Sequence, residues 1–252
     1  MALLGLGNNK KPFIYLDNHV QAPDWTKLHA EVCLGIAKSE WSKKFVSSGV
    51  HTEWADVEIT PYMKQYEQHL DPYARALFLR CTSTDEKIKF LNAYGPIPHP
   101  FWGLFIRNNK RIERTGIRNK AVGADCEWTD NARFFPTLVE FIKTMPFAEI
   151  GRVILFMTEA NNQTVPHYDG ATQDERPNDD FIWFTTKPGT KNIFVMDEFT
   201  KERTYADCEN NKFVWFNEMD YHGTEPVTNF SFSVRIDGKF TPELKEKLMN
   251  EE

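Results

Sequence analysis

The stretch Phe230-Ser231-Phe232-Ser233-Val234-Arg235 alternates strictly between apolar and polar side chains. Successive side chains of a β-strand point to opposite faces, so this stretch predicts a strand with one apolar face and one polar face. In an open sandwich, the polar face would meet solvent. In a barrel that holds a ligand, it would line the interior, and a partly buried Arg235 would then need an anion as its partner.

The segments on the N-terminal side of this stretch have a similar β-strand character. From Arg152 onward, runs rich in aromatic and β-branched residues come at intervals of roughly ten residues, separated by turns such as Lys187-Pro188-Gly189. This rhythm predicts an antiparallel sandwich or jelly roll. The predicted strands span residues 152–159, 181–187, 192–197, 202–206, 212–217 and 230–237.

The first hundred residues have helical patterns instead. Ser83 and Glu86 fit a capping box inside a region at residues 60–94 that is predicted to form short helices. Asp24 is predicted to cap an earlier helix. That helix carries an apolar stripe at spacings of three and four residues, formed by Trp25, Leu28, Val32 and Ile36.

A proline cluster at residues 96–100 ends the helical periodicity and marks the start of a β core. One more helix is predicted inside that core, from about Pro136 to Met145. We therefore expect one α+β domain over residues 1–252, with a mainly β core. Its expected parts are a mainly helical region at residues 1–100, a jelly-roll core at 101–240 and a C-terminal helix at 241–252.

Composition limits the class of partner. The 252 residues are 41% apolar and 26% charged, with a net charge of -6 and no long cationic block. This pattern disfavours nucleic acid as a partner, because phosphates are bound by clustered Lys and Arg. No segment approaches the roughly 20 consecutive apolar residues that span a bilayer, and Lys10 and Lys11 follow the first apolar run, unlike in a signal peptide. We therefore expect a cytoplasmic protein without a membrane segment.

Three residues that can bind a metal occur in two separate segments. His167-Tyr168-Asp169 places an imidazole and a carboxylate at positions i and i+2, which share a face on a strand. His222 follows the apolar run at residues 213–216, at the start of the predicted penultimate strand. Two imidazoles and one carboxylate suit octahedral Fe(II) and leave positions open for other ligands. The alternative is a chance His-x-Asp triplet and an ordinary strand-edge histidine.

In their order and spacing, His167, Asp169, His222 and Arg235 resemble the signature of the Fe(II)- and 2-oxoglutarate-dependent dioxygenases. Those enzymes have a double-stranded β-helix, a jelly roll of the cupin type, and the resemblance covers about residues 134–238. It implies that His167, Asp169 and His222 bind Fe(II) as the catalytic centre. It also implies that Arg235 pairs with the distal carboxylate of 2-oxoglutarate, while the keto acid and O2 take the open metal positions. The implied reaction hydroxylates a C–H bond and releases succinate and CO2.

The chain departs from this signature two residues after Arg235, where many relatives have Ser or Thr and this chain has Asp237. An ionised Asp cannot donate a hydrogen bond to a carboxylate. Ser233, Ser231 and Thr158 are therefore the candidates for the second donor to the co-substrate.

Two other classes of function stay open from the sequence. A non-enzymatic jelly-roll module, for binding or structure, would carry the His and Asp residues by chance and bind no stoichiometric metal. A metal-dependent cupin enzyme that does not use 2-oxoglutarate would leave Arg235 without an assigned anion. For the dioxygenase, we expect a small-molecule or peptide substrate, whose identity depends on loops and pocket shape that the sequence does not reveal.

Overall fold

The computed structural model describes residues 12–39, 76–83, 86, 102–109, 125–158, 160, 163–164, 180–197, 200–210, 212–216 and 220–250. The strands are β1 Phe13–Tyr15, β2 Trp102–Asn109, β3 Cys126–Trp128, β4 Phe147–Thr158, β5 Asp180–Phe184, β6 Ile193–Met196, β7 Arg203–Tyr205, β8 Phe213–Phe216, β9 His222–Thr224 and β10 Ser231–Phe240. The longer helices are α1 Trp25–Lys38, α2 Pro136–Lys143 and α3 Pro242–Asn250, and a 3-10 helix spans Asp130–Phe134.

Within the described residues, the strands form two antiparallel sheets. The larger sheet there has seven strands in the order β1-β8-β5-β10-β4-β2-β3, and the smaller has the order β7-β6-β9. β10 lies in the middle of the larger sheet, where it pairs with β4 on one side and β5 on the other. This β-rich, antiparallel arrangement fits a jelly roll and confirms the predicted mainly β core.

Helices cover one face of the larger sheet. The Trp25 ring on α1 lies 6.0 Å from the Phe184 ring on β5 and 5.5 Å from the Phe213 ring on β8. Phe141 on α2 contacts the same two rings at 6.1 and 5.9 Å. Because side chains alternate along a strand, neighbouring residues such as Trp183 point away from these helices. The opposite face of the larger sheet is therefore directed toward the smaller sheet.

The polar side of β10 lies on that opposite face. Ser231, Ser233, Arg235 and Asp237 are each at most 5% exposed. The alternation seen in the sequence therefore lines the interior and does not meet solvent. β10 begins at Ser231, and Phe230, before the strand, is 46% exposed.

The predicted helix signals are found where the structure describes them. The Asp24 carboxylate accepts a hydrogen bond from the Lys27 amide at 3.0 Å, at the start of α1. Ser83 and Glu86 form the reciprocal capping box, with both amide-to-side-chain distances at 3.2 Å. Most of the helical region predicted at 60–94 lies outside the described residues.

The N-terminal region also contributes to the sheet. Phe13–Tyr15 forms β1 and pairs with β8, a strand that the sequence did not predict. A three-residue strand is too short to carry a readable period of two. The division into a helical region, a core and a C-terminal helix remains a prediction, although α3 itself lies at residues 242–250 with Leu244 and Leu248 buried.

The described residues contain no helix long and apolar enough to cross a membrane.

A side chain of α1 caps the N-terminus of α2. The amides of Thr137 and Leu138, in the first turn of α2, each donate to one oxygen of the Glu31 carboxylate at 2.9 Å. Glu31 lies on α1, so this negative charge satisfies two amides that the helix itself leaves without acceptors. The same helices approach closely at Gly35, where an added Cβ atom would clash with the Phe135 ring.

Replacing Glu31 by Gln is expected to lower the free energy of unfolding by about 1 kcal/mol, because the amide side chain keeps one acceptor and loses the charge. Urea denaturation followed by tryptophan fluorescence measures this change. Glu140→Gln is the matched control, since Glu140 pairs with Lys143 on the exposed side of α2. We expect this variant to lower the free energy of unfolding by less than about 0.5 kcal/mol. Equal losses in the two variants would contradict the capping role.

Candidate functional site

An ionic cluster occupies one part of the buried face of β10. The Arg235 Nε donates to one oxygen of Asp237 at 2.7 Å, and the Arg152 Nε, on β4, donates to the other oxygen at 2.7 Å. All three side chains are at most 5% exposed. The Arg235 guanidinium also lies over the Phe181 ring, 4.0 Å from its centroid. Asp237 is thus a carboxylate partner for Arg235 within the chain itself.

From the sequence, Asp237 is interpreted only as a group that cannot donate a hydrogen bond to a co-substrate. In the structure its carboxylate accepts hydrogen bonds from two buried arginines and orients them. Arg152 was not recognised as a partner, since a pairing across 85 positions of the chain leaves no local signal. The predicted contact between Arg235 and a co-substrate remains a prediction.

A buried lysine lies further along the same face. Lys191, just before β6, is 3% exposed, and its Nζ donates to the Thr158 hydroxyl at 3.2 Å and the Ser233 hydroxyl at 3.4 Å. In the described part of the chain, its hydrogen-bond partners are these neutral hydroxyls, with no carboxylate among them. Burial lowers the pKa of Lys191 from 10.5 to about 7, because the charged form is poorly solvated there.

The hydroxyl of Ser231 adds a fourth polar group. Ser231 lies directly opposite Thr158 in the pairing of β10 with β4, so both side chains share one face. The Ser231 oxygen is buried and has no hydrogen-bond partner among the described residues. We call Lys191, Thr158, Ser231 and Ser233 the Lys191 cluster.

Three members of the Lys191 cluster are predicted from the sequence as site residues, and Lys191 itself is not. Thr158, Ser231 and Ser233 were candidate donors to a co-substrate carboxylate. Lys191 gave no signal, because a lysine shortly after a Lys-Pro-Gly turn is ordinarily a solvated residue. The burial of this side chain in the interior is visible only in the folded structure.

His222 lies at the start of β9, as predicted, and is 5% exposed. Its Nδ1 lies 2.8 Å from the backbone oxygen of Asp220, and its ring lies 4.8 Å from the ring of Phe216 in the larger sheet. A carbonyl oxygen can only accept, so Nδ1 carries the proton and Nε2 carries the lone pair. This tautomer is the one in which Nε2 can bind a metal, with the second ring nitrogen oriented by the backbone.

Thr164, three residues before the predicted metal motif, lies beside β9. The Thr224 amide donates to the Thr164 oxygen at 2.9 Å, and the Thr164 amide donates to the Thr224 hydroxyl at 2.9 Å. His167 and Asp169 lie outside the described residues, and the described ones contain no group of three metal-binding side chains. The metal-binding role of these residues therefore remains a prediction.

Comparison with known proteins gives distant similarities to solved structures. No protein-family model and no curated protein matches the chain. A solved prolyl hydroxylase from Trichoplax adhaerens, in complex with a hypoxia inducible factor oxygen degradation domain peptide fragment, is 9% identical. It has a TM-score of 0.44, over 98% of this chain and 90% of that chain. A Pseudomonas putida prolyl-4-hydroxylase is 6% identical, with a TM-score of 0.33, over 82% of this chain and 99% of that chain. Both similarities are too low to assign a function.

The buried amine predicts how stability depends on pH. Between the folded pKa of Lys191, about 7, and its ordinary value of 10.5, the unfolded chain binds a proton that the folded chain does not. The free energy of unfolding of the wild-type chain should therefore rise with pH through this window, relative to Lys191→Met. Urea denaturation at about pH 7, 8 and 9 measures the difference. The exposed Lys187→Met is the control, and a difference that falls as pH rises would contradict the burial of a neutral amine.

Proposed function

We propose that the chain is an Fe(II)- and 2-oxoglutarate-dependent dioxygenase that hydroxylates a C–H bond of a small-molecule or peptide substrate. The observation that carries this proposal is the pairing of Thr164 with Thr224. It places Thr164, three residues before His167, next to the strand that holds His222.

Chain connectivity limits how far the metal motif can lie from His222. His167 follows Thr164 by three residues, so the two Cα atoms are at most about 11 Å apart. His222 and Thr224 occupy positions i and i+2 of β9, and their side chains share a face. This spacing allows an imidazole and a carboxylate from residues 167–169 to reach the His222 Nε2.

The order of the strands supports a double-stranded β-helix. From β4 in the larger sheet, the chain passes residues 163–164 beside β9, then returns to the larger sheet as β5. It continues to β6 and β7 in the smaller sheet, β8 in the larger, β9 in the smaller and β10 in the larger. Repeated crossing between two facing antiparallel sheets is typical of jelly rolls.

The residues fit Fe(II) in the chemistry of their donors. His167, Asp169 and His222 would supply two imidazole nitrogens and one carboxylate oxygen, a set that leaves positions for a chelating keto acid and O2. Fe(II), O2 and 2-oxoglutarate together supply the oxidant that converts C–H to C–OH, with succinate and CO2 as the other products. The chain would hold the metal and bury the distal carboxylate of 2-oxoglutarate near the polar face of β10, which carries Arg235 and Ser233 and lies beside Thr158 on β4.

Mn(II) titration tests the metal site without turnover. The wild-type chain is expected to bind one ion, and alanine at His167, Asp169 or His222 should weaken binding by about a hundredfold or more, since each removes a ligand. Isothermal titration calorimetry under nitrogen measures the affinity.

His29→Ala is the matched control for the loss of an imidazole. His29 lies on the helix-covered side of the larger sheet, where its ring stacks on Phe232 at 5.6 Å and its Nδ1 lies 2.7 Å from the Thr186 hydroxyl. Its variant should bind Mn(II) like the wild type. Absence of a stoichiometric ion, or unchanged affinity in the three ligand variants, would contradict the proposal and favour a non-enzymatic module. Stoichiometric metal without any binding of 2-oxoglutarate would favour a cupin enzyme of another kind.

A further inference from the structure

We propose that Cys33 is a site of covalent modification, where its thiol forms a mixed disulfide with a small, negatively charged disulfide and His29 acts as the base. Four side chains carry this inference: Cys33, His29, Thr186 and Lys187, which we call the Cys33 site. His29 and Cys33 lie on α1, and Thr186 and Lys187 follow the end of β5.

The Cys33 site is separate from the polar interior. The His29 ring stacks on Phe232 of β10 at 5.6 Å, with 17° between the two planes. Phe232 alternates with Ser231 and Ser233, so it points to the other face of the larger sheet, the one that the helices cover. The inference therefore does not depend on the proposed function.

A thiol and an imidazole meet at this site. Cys33 and His29 are four residues apart on α1, so their side chains are neighbours on one side of the helix. The Cys33 Sγ lies 3.6 Å from the His29 Nε2, within hydrogen-bond range for sulfur. Cys33 is also exposed to solvent. A nucleophile and a base in contact, at a place that a reagent can reach, are the arrangement that covalent chemistry requires.

The other ring nitrogen of His29 is held by the sheet. The His29 Nδ1 lies 2.7 Å from the hydroxyl of Thr186, and Thr186 is 4% exposed. With the proton on Nδ1, the hydroxyl accepts a hydrogen bond and the Nε2 lone pair is directed at the Cys33 thiol. Thr186 is thus a positioning residue, which orients the base as a third group does in a catalytic triad.

Burial and charge suit the two groups to proton transfer. Burial lowers the pKa of His29, and the nearby Lys187 ammonium lowers it further, so the imidazole is neutral near pH 7 and can accept a proton. Burial raises the pKa of the Cys33 thiol, although Lys187 opposes this shift, so the sulfur keeps its proton until a base removes it. A thiol of raised pKa is a strong nucleophile once it is deprotonated.

The exposed Lys187 selects the charge of the reagent. Its ammonium acts on both His29 and Cys33, so it lies close to the sulfur that reacts. A cation beside the reacting atom attracts an anionic reagent and repels a cationic one. The site therefore favours a disulfide that carries carboxylates.

The reaction is a thiol–disulfide exchange. The Cys33 proton moves to the His29 Nε2, the Cys33 sulfur attacks one sulfur of the reagent, and the S–S bond of the reagent breaks. The leaving thiolate takes the proton back from His29. The Cys33 sulfur is oxidised and the reagent is reduced, so the products are one mixed disulfide and one free thiol.

Oxidised glutathione, which is anionic at neutral pH, and cystamine, which is cationic, are the two probes. Peptide mass spectrometry measures the rate of modification at each cysteine of the whole chain at about pH 7.5. With oxidised glutathione, Cys33 should react at least about tenfold faster than Cys81. Cys81 is the internal control, because it is partly exposed and its Sγ donates to the Leu77 carbonyl at 3.8 Å. The rate ratio of oxidised glutathione to cystamine should be higher at Cys33 than at Cys81.

Four variants test the parts of the site. His29→Asn should slow the reaction of Cys33 by about tenfold or more, because it removes the base. Thr186→Val should slow it by about threefold or more, whereas Thr186→Ser keeps the hydroxyl and should restore the wild-type rate. Lys187→Met should lower the preference for oxidised glutathione over cystamine by about threefold. The buried Cys126 and Cys208 should stay unmodified in each folded variant.

The outcomes decide each part of the inference. Equal rates at Cys33 and Cys81 in the wild type would overturn it. A fast reaction at Cys33 that His29→Asn leaves unchanged would overturn the role of the base, and equal rates in Thr186→Val and Thr186→Ser would overturn that of the hydroxyl. The same preference between the probes at Cys33 and Cys81 would overturn the choice of an anionic reagent. If a variant fails to fold, the wild-type rates with the two probes still decide whether Cys33 is the site.

Discussion

The burial of the polar face of β10 is the constraint on which the structure depends. This strand lies between β4 and β5 in the larger sheet, and its polar side is directed toward the smaller sheet. Polar groups that water does not reach need partners inside the protein. Among the described residues, Asp237 provides one for Arg235 and Arg152, whereas Lys191 has hydroxyl partners and Ser231 has none. A polar interior with an incompletely paired cation is suited to an anionic ligand.

Much of the fold could be predicted from local pattern. Runs rich in aromatic and β-branched residues predicted β4 to β8 and β10, and the Asp24 cap and Ser83 box are local signals that the structure confirms. The strict alternation in β10 predicted a polar face but left its environment open, because only the position of the smaller sheet decides whether that face meets solvent. The three-residue strands β1 and β3 are too short for periodicity to reveal.

Only those features of the candidate site that depend on local sequence could be predicted. His222 is buried at the start of β9 as expected, with the tautomer that a ligand needs. The pairing of Asp237 with two arginines and the entry of Lys191 into the interior depend on contacts between distant segments. Such contacts arise from sheet pairing over tens of residues, for which neither spacing nor composition is a guide. The sequence therefore predicts the anion partner at Arg235, while the structure shows a further buried basic side chain, Lys191, beside Ser233 on the same face.

In the proposed function, one metal and 2-oxoglutarate share a site built from His167, Asp169 and His222. Anaerobic absorption spectroscopy of the protein with Fe(II) and 2-oxoglutarate is the sharpest test of this site, since a keto acid chelated to Fe(II) gives a weak visible charge-transfer band. We expect this band in the wild-type protein and its loss in Asp169→Ala. No band in the wild type, or an equal band in the variant, would show that the site is not built from these residues.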